Sequence, residues 1–270
     1  MDLGIAFIGT PIGDPEDISL KALNYLRRIE LYFCEDTRRS KDLLIRLGIE
    51  LSGRVFKSLH DHSGQAKVEE LLSSARQGLV GYLSDAGSPL ISDPAYPLVR
   101  ACLENEIPFD FISGITAPIY ALEKSGLAPL PFSFFGFLPR EDAKIKDIFS
   151  HLAKGTSVFF EGVSRVEKTL SILAKTLPEA SVVVARECTK TYETFYRFKA
   201  REFSKQEITY KGEFVLLVYN EKELNTMGAK TIDLAQEILS QGAKPKVLAK
   251  LLSEILGRNS KEIYQELGRN

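Results

Sequence analysis

Between residues 3 and 125, short apolar runs alternate with stretches of helical periodicity, and this alternation restricts the fold more than any other feature. Residues 3–9 (LGIAFIG) are apolar throughout, as a strand covered on both faces requires. Further strands are expected at 31–34, 54–57, 79–83 and 109–112. Helices fill the gaps. The first carries Leu20, Leu23, Leu26 and Ile29 on one face; others are expected at 40–47, 65–76, 94–105 (opened by Pro94) and 117–125. Strands separated by helices pair in parallel and form a sheet covered on both faces.

The stretch 126–132 (GLAPLPF) holds two Pro and a Gly and is the expected domain boundary. Beyond it, strands are expected at 132–138, 157–161, 181–186, 194–198 and 213–219, with helices at 142–152 and 165–176. From residue 231, three short amphipathic helices follow, marked by Leu234/Ile238, Leu248/Leu252/Ile255 and Ile263/Leu267. The expected fold class is α/β: a parallel-sheet N-terminal domain at 1–125, an α+β second domain with a mixed sheet at 126–226, and a helical extension at 227–270.

Composition narrows the function. The net charge is −1, so a nucleic-acid partner would need a local basic patch. Cys34, Cys102 and Cys188 lie far apart without CxxC spacing, which disfavours a disulfide framework or zinc site and fits a reducing cytoplasm. The opening MDLGIAFIGTPIGDPED lacks a basic signal-peptide region, and no apolar run approaches the ~20 residues of a membrane span. The chain therefore reads as soluble and intracellular. GxGxxG, GxxxxGK[ST], HExxH and GxSxG are absent. His60 and His62 are a pair without a third ligand, so no metal is expected.

Four loops remain, each after an expected strand: 10–17 (TPIGDPED), 35–39 (EDTRR), 85–93 (DAGSPLISD) and 113–117 (SGITA). Taken singly, each reads as a tight turn with a capped helix, Asp17 capping the helix from 18 and Asp93 the helix from 94. Together they lie at the carboxyl ends of parallel strands, where ligands bind.

These loops carry a resemblance. TPIGDPEDISLKAL, FCEDTRRSKDLL, SLHDHS, LSDAGSPLISDPAYPLVRA, SGITAPIYALEKSGL, FFGFLPR, VVVARECTK and GEFVLLV occur in that order. The series resembles the tetrapyrrole-methylase-fold superfamily of S-adenosylmethionine-dependent methyltransferases and, within it, the ribosomal RNA small subunit methyltransferase I family. Members of that family methylate the ribose 2′-oxygen of a cytidine in the decoding region of 16S rRNA. The chain departs from the family's usual Pro-Gly-Pro-Ser-Ala at 113–117 and from Tyr-Glu-Ser-Pro-His-Arg at 160–165, where it reads Phe-Glu-Gly-Val-Ser-Arg.

The resemblance implies a tetrapyrrole-methylase-like fold and S-adenosylmethionine as methyl donor. It places Pro11, Asp85, Gly87, Ser88, Ile91, Ser92, Thr116 and Ala117 in the donor cleft, with Phe160, Gly212, Glu213 and Phe214 of the second domain closing over the adenine. A base for the hydroxyl is left open among Glu187, Glu161 and His60 or His62. Arg186-Glu187 reads equally as an ion pair, and Asp36 and Arg38 as a helix cap and a solvated charge. Arg38, Arg39, Lys41, Arg140 and Arg165 could meet RNA phosphates, as could the tail, with seven Lys/Arg against five acids over 227–270. Implied partners are 16S rRNA in the 30S subunit and a second copy of the chain, in the cytoplasm. Two rival readings stand beside this one: a small-molecule methyltransferase of the same fold acting on a tetrapyrrole, and a ribosome-associated cofactor-binding protein without catalysis.

Overall fold

The computed structural model describes residues 3–60, 63–91, 95–221, 229–256 and 259–268. Its first sheet contains β1 (Gly4–Ile8), β2 (Leu31–Cys34), β3 (Val55–Ser58), β4 (Leu79–Leu83) and β5 (Phe109–Ile112), in the order β3-β2-β4-β1-β5. All of its pairings are parallel. The helices between these strands are α1 (Leu20–Arg28), α2 (Thr37–Arg46), α3 (Gln65–Gln77) and α4 (Ala95–Glu104). Every residue of β1 is buried. Ile5 and Phe7 face Leu71, Leu72, Leu98 and Cys102 of α3 and α4, while Ala6 and Ile8 face Ala22, Leu26 and Leu44 of α1 and α2. This two-sided burial explains the unbroken apolar run at 3–9.

The second sheet holds β6 (Phe132–Phe137), β7 (Gly155–Glu161), β8 (Ser181–Arg186), β9 (Thr194–Lys199) and β10 (Phe214–Asn220), in the order β6-β7-β10-β8-β9. Only β6–β7 is parallel, so the sheet is mixed as expected. Helices α6 (Asp142–Ser150) and α7 (Val166–Thr176) cover one face through Ile145, Phe149, Leu170 and Leu173. The other face receives α5 (Ala117–Ser125), whose Ala121 and Leu122 pack on Val158, Val183, Val215 and Leu217. Helix α5 follows β5 of the first sheet in sequence and packs on the second, which joins the two.

The compact units divide at 221/222: Met1–Glu221 contains both sheets, and Lys222–Asn270 is a helical unit. The latter comprises α8 (Ala229–Ser240), α9 (Pro245–Leu256) and α10 (Ser260–Leu267) around Ala235, Leu248, Ala249, Ile263 and Leu267. Three expected markers of its buried faces, Leu234, Ile238 and Ile255, are exposed; Ala235 and Leu239 turn inward instead. Among the described residues, no helix is long and apolar enough to cross a membrane.

Two local expectations change around α1. Ser19, not Asp17, caps it, the Ser19 hydroxyl accepting from the Ala22 amide at 3.1 Å. Asp17 instead ends a short 3₁₀ turn, Pro15–Asp17. Leu20, at the first helical position, is 80% exposed. The other end of α1 is closed by Arg54, which donates to the carbonyl oxygens of Leu26 at 3.0 Å and Arg27 at 2.9 Å and to the Tyr32 hydroxyl at 3.2 Å. A cation on carbonyls left over at a helix end is stabilising. Arg54→Met should therefore lower the unfolding free energy by about 1–3 kcal/mol, measured in urea melts as a lower midpoint with an unchanged slope.

Candidate active site

The chain leaves β1 toward β2 and leaves β4 toward β5, in opposite directions from adjacent strands. Crevices form at the carboxyl ends of such a pair. Here the two diverging loops are stitched together. The Thr10 amide donates to the Gly87 carbonyl at 2.9 Å, and the Gly87 amide donates back to Thr10 at 3.0 Å. Gly87 has φ +80°, a conformation that other residues adopt only under strain.

The loop after β2 joins the loop after β4 through a reciprocal exchange of amides and carboxylates. Asp85 Oδ1 accepts from the Asp36 amide at 3.1 Å, and Glu35 Oε2 accepts from the Asp85 amide at 3.1 Å. Arg39 Nη1 lies 3.0 Å from Asp85 Oδ2. Asp36 caps α2 by accepting from the Arg38 amide, and the Arg38 guanidinium beside it holds its carboxyl well below the usual carboxylate range. Arg38 is thus tied to the cap with an outward-facing side chain.

Above these loops lies a cavity of about 410 Å³, within the range of small-molecule sites. Asp85, Gly87, Ser88, Ile91, Thr116 and Ala117 line it from the first sheet's side. Phe160, Gly212, Glu213 and Phe214 line it from the second. Pro11 is buried beside the lining residue Ile12. Ser92, Asp93, Pro94 and His62 lie outside the described residues. The cavity also takes in Glu35, from the 35–39 loop that the sequence marked, and Phe137, Val163 and Cys188, which the sequence reading did not assign to the site. Burial pushes the Cys188 thiol up to about 12, so it is neutral at physiological pH.

The three described candidate bases are placed differently. Glu161 lines the cavity, but its carboxylate is enclosed: Arg165 Nη2 lies at 2.5 Å, and the Thr169 hydroxyl and the Gly162 amide donate to it at 2.7 and 2.8 Å. Arg165 also donates to the Leu138 and Pro139 carbonyls at 3.1 and 3.0 Å, so it anchors the turn after β6 instead of facing a phosphate. Glu187 sits behind Gly212, where a Cβ would lie 2.5 Å from its carboxyl. It accepts from the Glu213 amide at 2.8 Å and from Lys190 Nζ at 3.2 Å. Burial raises its pKa, but that amide and the Lys190 and Arg186 charges outweigh burial and leave it lowered. Arg186 does not close the ion pair with Glu187; its guanidinium donates to the carbonyls of Lys211 at 2.6 Å and Tyr192 at 2.9 Å. His60 lines a separate space of about 60 Å³ with Tyr82 and Leu98. Arg39 is at the cavity, and Arg140 is exposed three residues beyond Phe137. Among the described residues, no group of three His, Cys, Asp or Glu could hold a metal ion.

A strap ties this wall together. Glu193 Oε2 accepts from the Tyr120 hydroxyl of α5 and from the Thr189 amide, both at 2.7 Å, and Lys124 pairs with its other oxygen. Thr189 Oγ1 in turn accepts from the Asp14 amide at 3.1 Å. The loop after β1, helix α5 and the 187–193 loop are thereby fixed to one another.

The sequence model of the family described as Tetrapyrrole (Corrin/Porphyrin) Methylases matches residues 4–204. A protein of Pasteurella multocida (strain Pm70) named Ribosomal RNA small subunit methyltransferase I is 37% identical over 276 residues, covering 97% of this chain and 96% of that one. A protein of the same name from Haemophilus influenzae is 36% identical, with 97% and 95% covered. Among solved structures, a diphthine synthase superposes with a TM-score of 0.63 at 15% identity, covering 81% of this chain and 90% of that one. A uroporphyrin-III C-methyl transferase from Thermus thermophilus, complexed with S-adenyl homocysteine, superposes with a TM-score of 0.54 at 19% identity, with 80% and 97% covered. At these identities the two structures speak to the fold alone.

The strap predicts a pH dependence. Burial raises the Glu193 pKa, but Lys124, the Thr189 amide and Tyr120 more than reverse this and leave it lowered. The unfolded chain therefore binds the proton more readily, and the stabilisation is present above the ordinary carboxylate range and lost as pH falls through it. Glu193→Gln should melt below the wild type at pH ~7, and the gap should shrink toward pH ~3. Thermal melts across that interval check this, and a pH-independent gap would contradict it.

Proposed function

We propose RNA methylation as the function of this chain, which belongs to the tetrapyrrole (corrin/porphyrin) methylase family and, within it, to the ribosomal RNA small subunit methyltransferase I family. It uses S-adenosylmethionine and places the methyl group on the ribose 2′-oxygen of a cytidine in 16S rRNA. In this reading it works in the cytoplasm on the 30S subunit, as a homodimer. The observation that carries the reading is the cavity at the β1/β4 crevice, in a chain with 37% identity to a relative of that name across nearly its full length.

The cavity suits the donor chemically. S-adenosylmethionine combines a sulfonium cation with an amino-acid end and an adenine, and when bound it supplies an electrophilic methyl. Phe160, Phe214 and Val215 offer an apolar wall for a flat ring. Gly87 and Ser88 bring backbone close to the ligand space, and Thr116 and Ala117 present the N-terminus of α5, which favours a carboxylate. The lining carboxylates Glu35, Asp85, Glu161 and Glu213 suit a cationic ligand.

Alignment of donor and hydroxyl supplies much of the rate in such a transfer. The proton of the hydroxyl still needs an acceptor. Asp85 is paired with Arg39, Glu161 with Arg165 and Glu213 with Lys190. Glu35 has no cationic partner among the described residues; Oε2 takes the Asp85 amide, which orients the group and leaves Oε1 for the acceptor proton. We therefore assign the base to Glu35, with Glu161 and Glu187 as groups that shape the wall. Arg39 and Arg140 are placed to meet phosphates.

The test is to incubate the protein with methyl-labelled S-adenosylmethionine and 30S subunits from a strain lacking this modification, then map ribose methylation. One labelled 2′-O-methylcytidine in 16S rRNA is expected; donor binding without RNA label would refute the reading. Gly87→Leu should weaken donor binding at least ~10-fold by calorimetry. Glu35→Gln should keep donor affinity within about twofold while lowering single-turnover transfer by about 10²–10⁴-fold.

A further inference from the structure

The edge strand β6 breaks its own alternation beside the cavity. Phe132, Ser133 and Phe134 pair in register with Thr156, Ser157 and Val158 of β7, but the next pair is Phe137 with Phe160. Three steps on β6 are thus matched to two on β7, so β6 carries one extra residue. Side chains alternate faces along a strand, so regular pairing would set Gly136 opposite Phe160. The extra residue sets Phe137 there instead, on the face of Phe134. Gly136 has φ +67°, the left-handed conformation that such a bulge uses. The rings of Phe134 and Phe137 both contact Phe160, with centroids 5.0 and 5.3 Å away.

Phe137 lines the cavity yet remains 61% exposed, so the bulge displays a large aromatic ring at the site rather than burying it. Phe160 braces it at an interplanar angle of 57°. The turn that follows is pinned from below by Arg165, through the Leu138 and Pro139 carbonyls. Val163 adds a second exposed apolar group to the lining, and Arg140 is an exposed cation three residues along. A rigid, open aromatic ring with a cation nearby is how proteins hold an unstacked nucleobase and its phosphate.

We propose that Phe137 is the platform on which the base of the acceptor nucleotide stacks while its ribose enters the cavity. The proposal rests on the RNA methylation reading and adds that the target nucleotide is bound extruded from its stack, at the energetic cost this entails. It also gives the β6 bulge a role, since without the extra residue Phe137 would point to the opposite face of the sheet.

The chain contains no Trp, so Phe137→Trp introduces a single indole reporter at the site. Its fluorescence should be quenched by a single-stranded oligoribonucleotide covering the target sequence and remain unchanged with S-adenosylhomocysteine alone. In transfer assays on 30S subunits, Phe137→Ala should lower kcat/KM by about 10- to 100-fold with donor affinity unchanged by calorimetry. Phe137→Trp should retain activity, and Phe137→Leu should behave as Phe137→Ala. Quenching by S-adenosylhomocysteine alone, with lost donor affinity in Phe137→Ala, would show that the ring holds the donor's adenine and would overturn the proposal. Full activity in Phe137→Leu would overturn it as well. Absence of transfer by the wild type would count against the methylation reading, whereas the oligoribonucleotide quench reads the stacking independently.

Discussion

The exchange of amides and carboxylates among three loops is the constraint on which the site depends. Parallel strands end with unpaired backbone groups, and where adjacent strands diverge no neighbouring strand can pair them. In this chain the Thr10 and Gly87 amides answer each other's carbonyls, the Asp36 amide is answered by Asp85, and the Asp85 amide by Glu35. Each bond satisfies a strand-end group and also fixes one loop against the next. The floor of the cavity is therefore set by backbone amides held on carbonyls and on the carboxylates of Asp85 and Glu35.

The opposite wall is fixed by packing. Helix α5 leaves the first sheet in sequence and buries Ala121 and Leu122 against the second. A shift of the second sheet would expose that face, so the apolar contact holds the two sheets to one relative position, which the Glu193 strap then makes directional. Apolar burial supplies most of the energy and the hydrogen-bonded carboxylate most of the geometry.

The elements were legible in the sequence because periodicity is a local signal. The run at 3–9 and the expected strands at 79–83, 109–112 and 181–186 correspond to β1, β4, β5 and β8 within a residue or two at each end. Function-bearing detail was less legible, for physical reasons. Ser19 and Asp17 are both good caps, and only the 3₁₀ turn at Pro15–Asp17 decides between them. Glu161 and Glu35 are both carboxylates after apolar runs. One is enclosed by Arg165 and Thr169 and the other has no cationic partner among the described residues, a difference made by residues remote in sequence or on a neighbouring turn. Phe137 was hidden most deeply: by strict alternation it belongs on the far face of β6, and only the register against β7 shows otherwise.

The charge pattern follows from the same economy of placement. A chain with a net charge of −1 has no long-range attraction for RNA, so its basic groups must act locally. Many of them are committed inward: Arg54 to the end of α1, Arg165 to the turn after β6, Arg186 to the Lys211 and Tyr192 carbonyls, and Lys190 to Glu187 and Glu213. Among the described residues, the cations near the cavity that keep outward reach are few, with the Arg39 side chain 65% exposed even while paired to Asp85. Inside, carboxylates prevail and suit a cationic donor. Three of the four lining carboxylates are paired, Asp85 with Arg39, Glu161 with Arg165 and Glu213 with Lys190, which leaves Glu35 without a cationic partner among the described residues. Recognition of the acceptor must then lean on shape and stacking more than on bulk charge, which is the circumstance in which an exposed aromatic ring at the mouth of the cavity matters most.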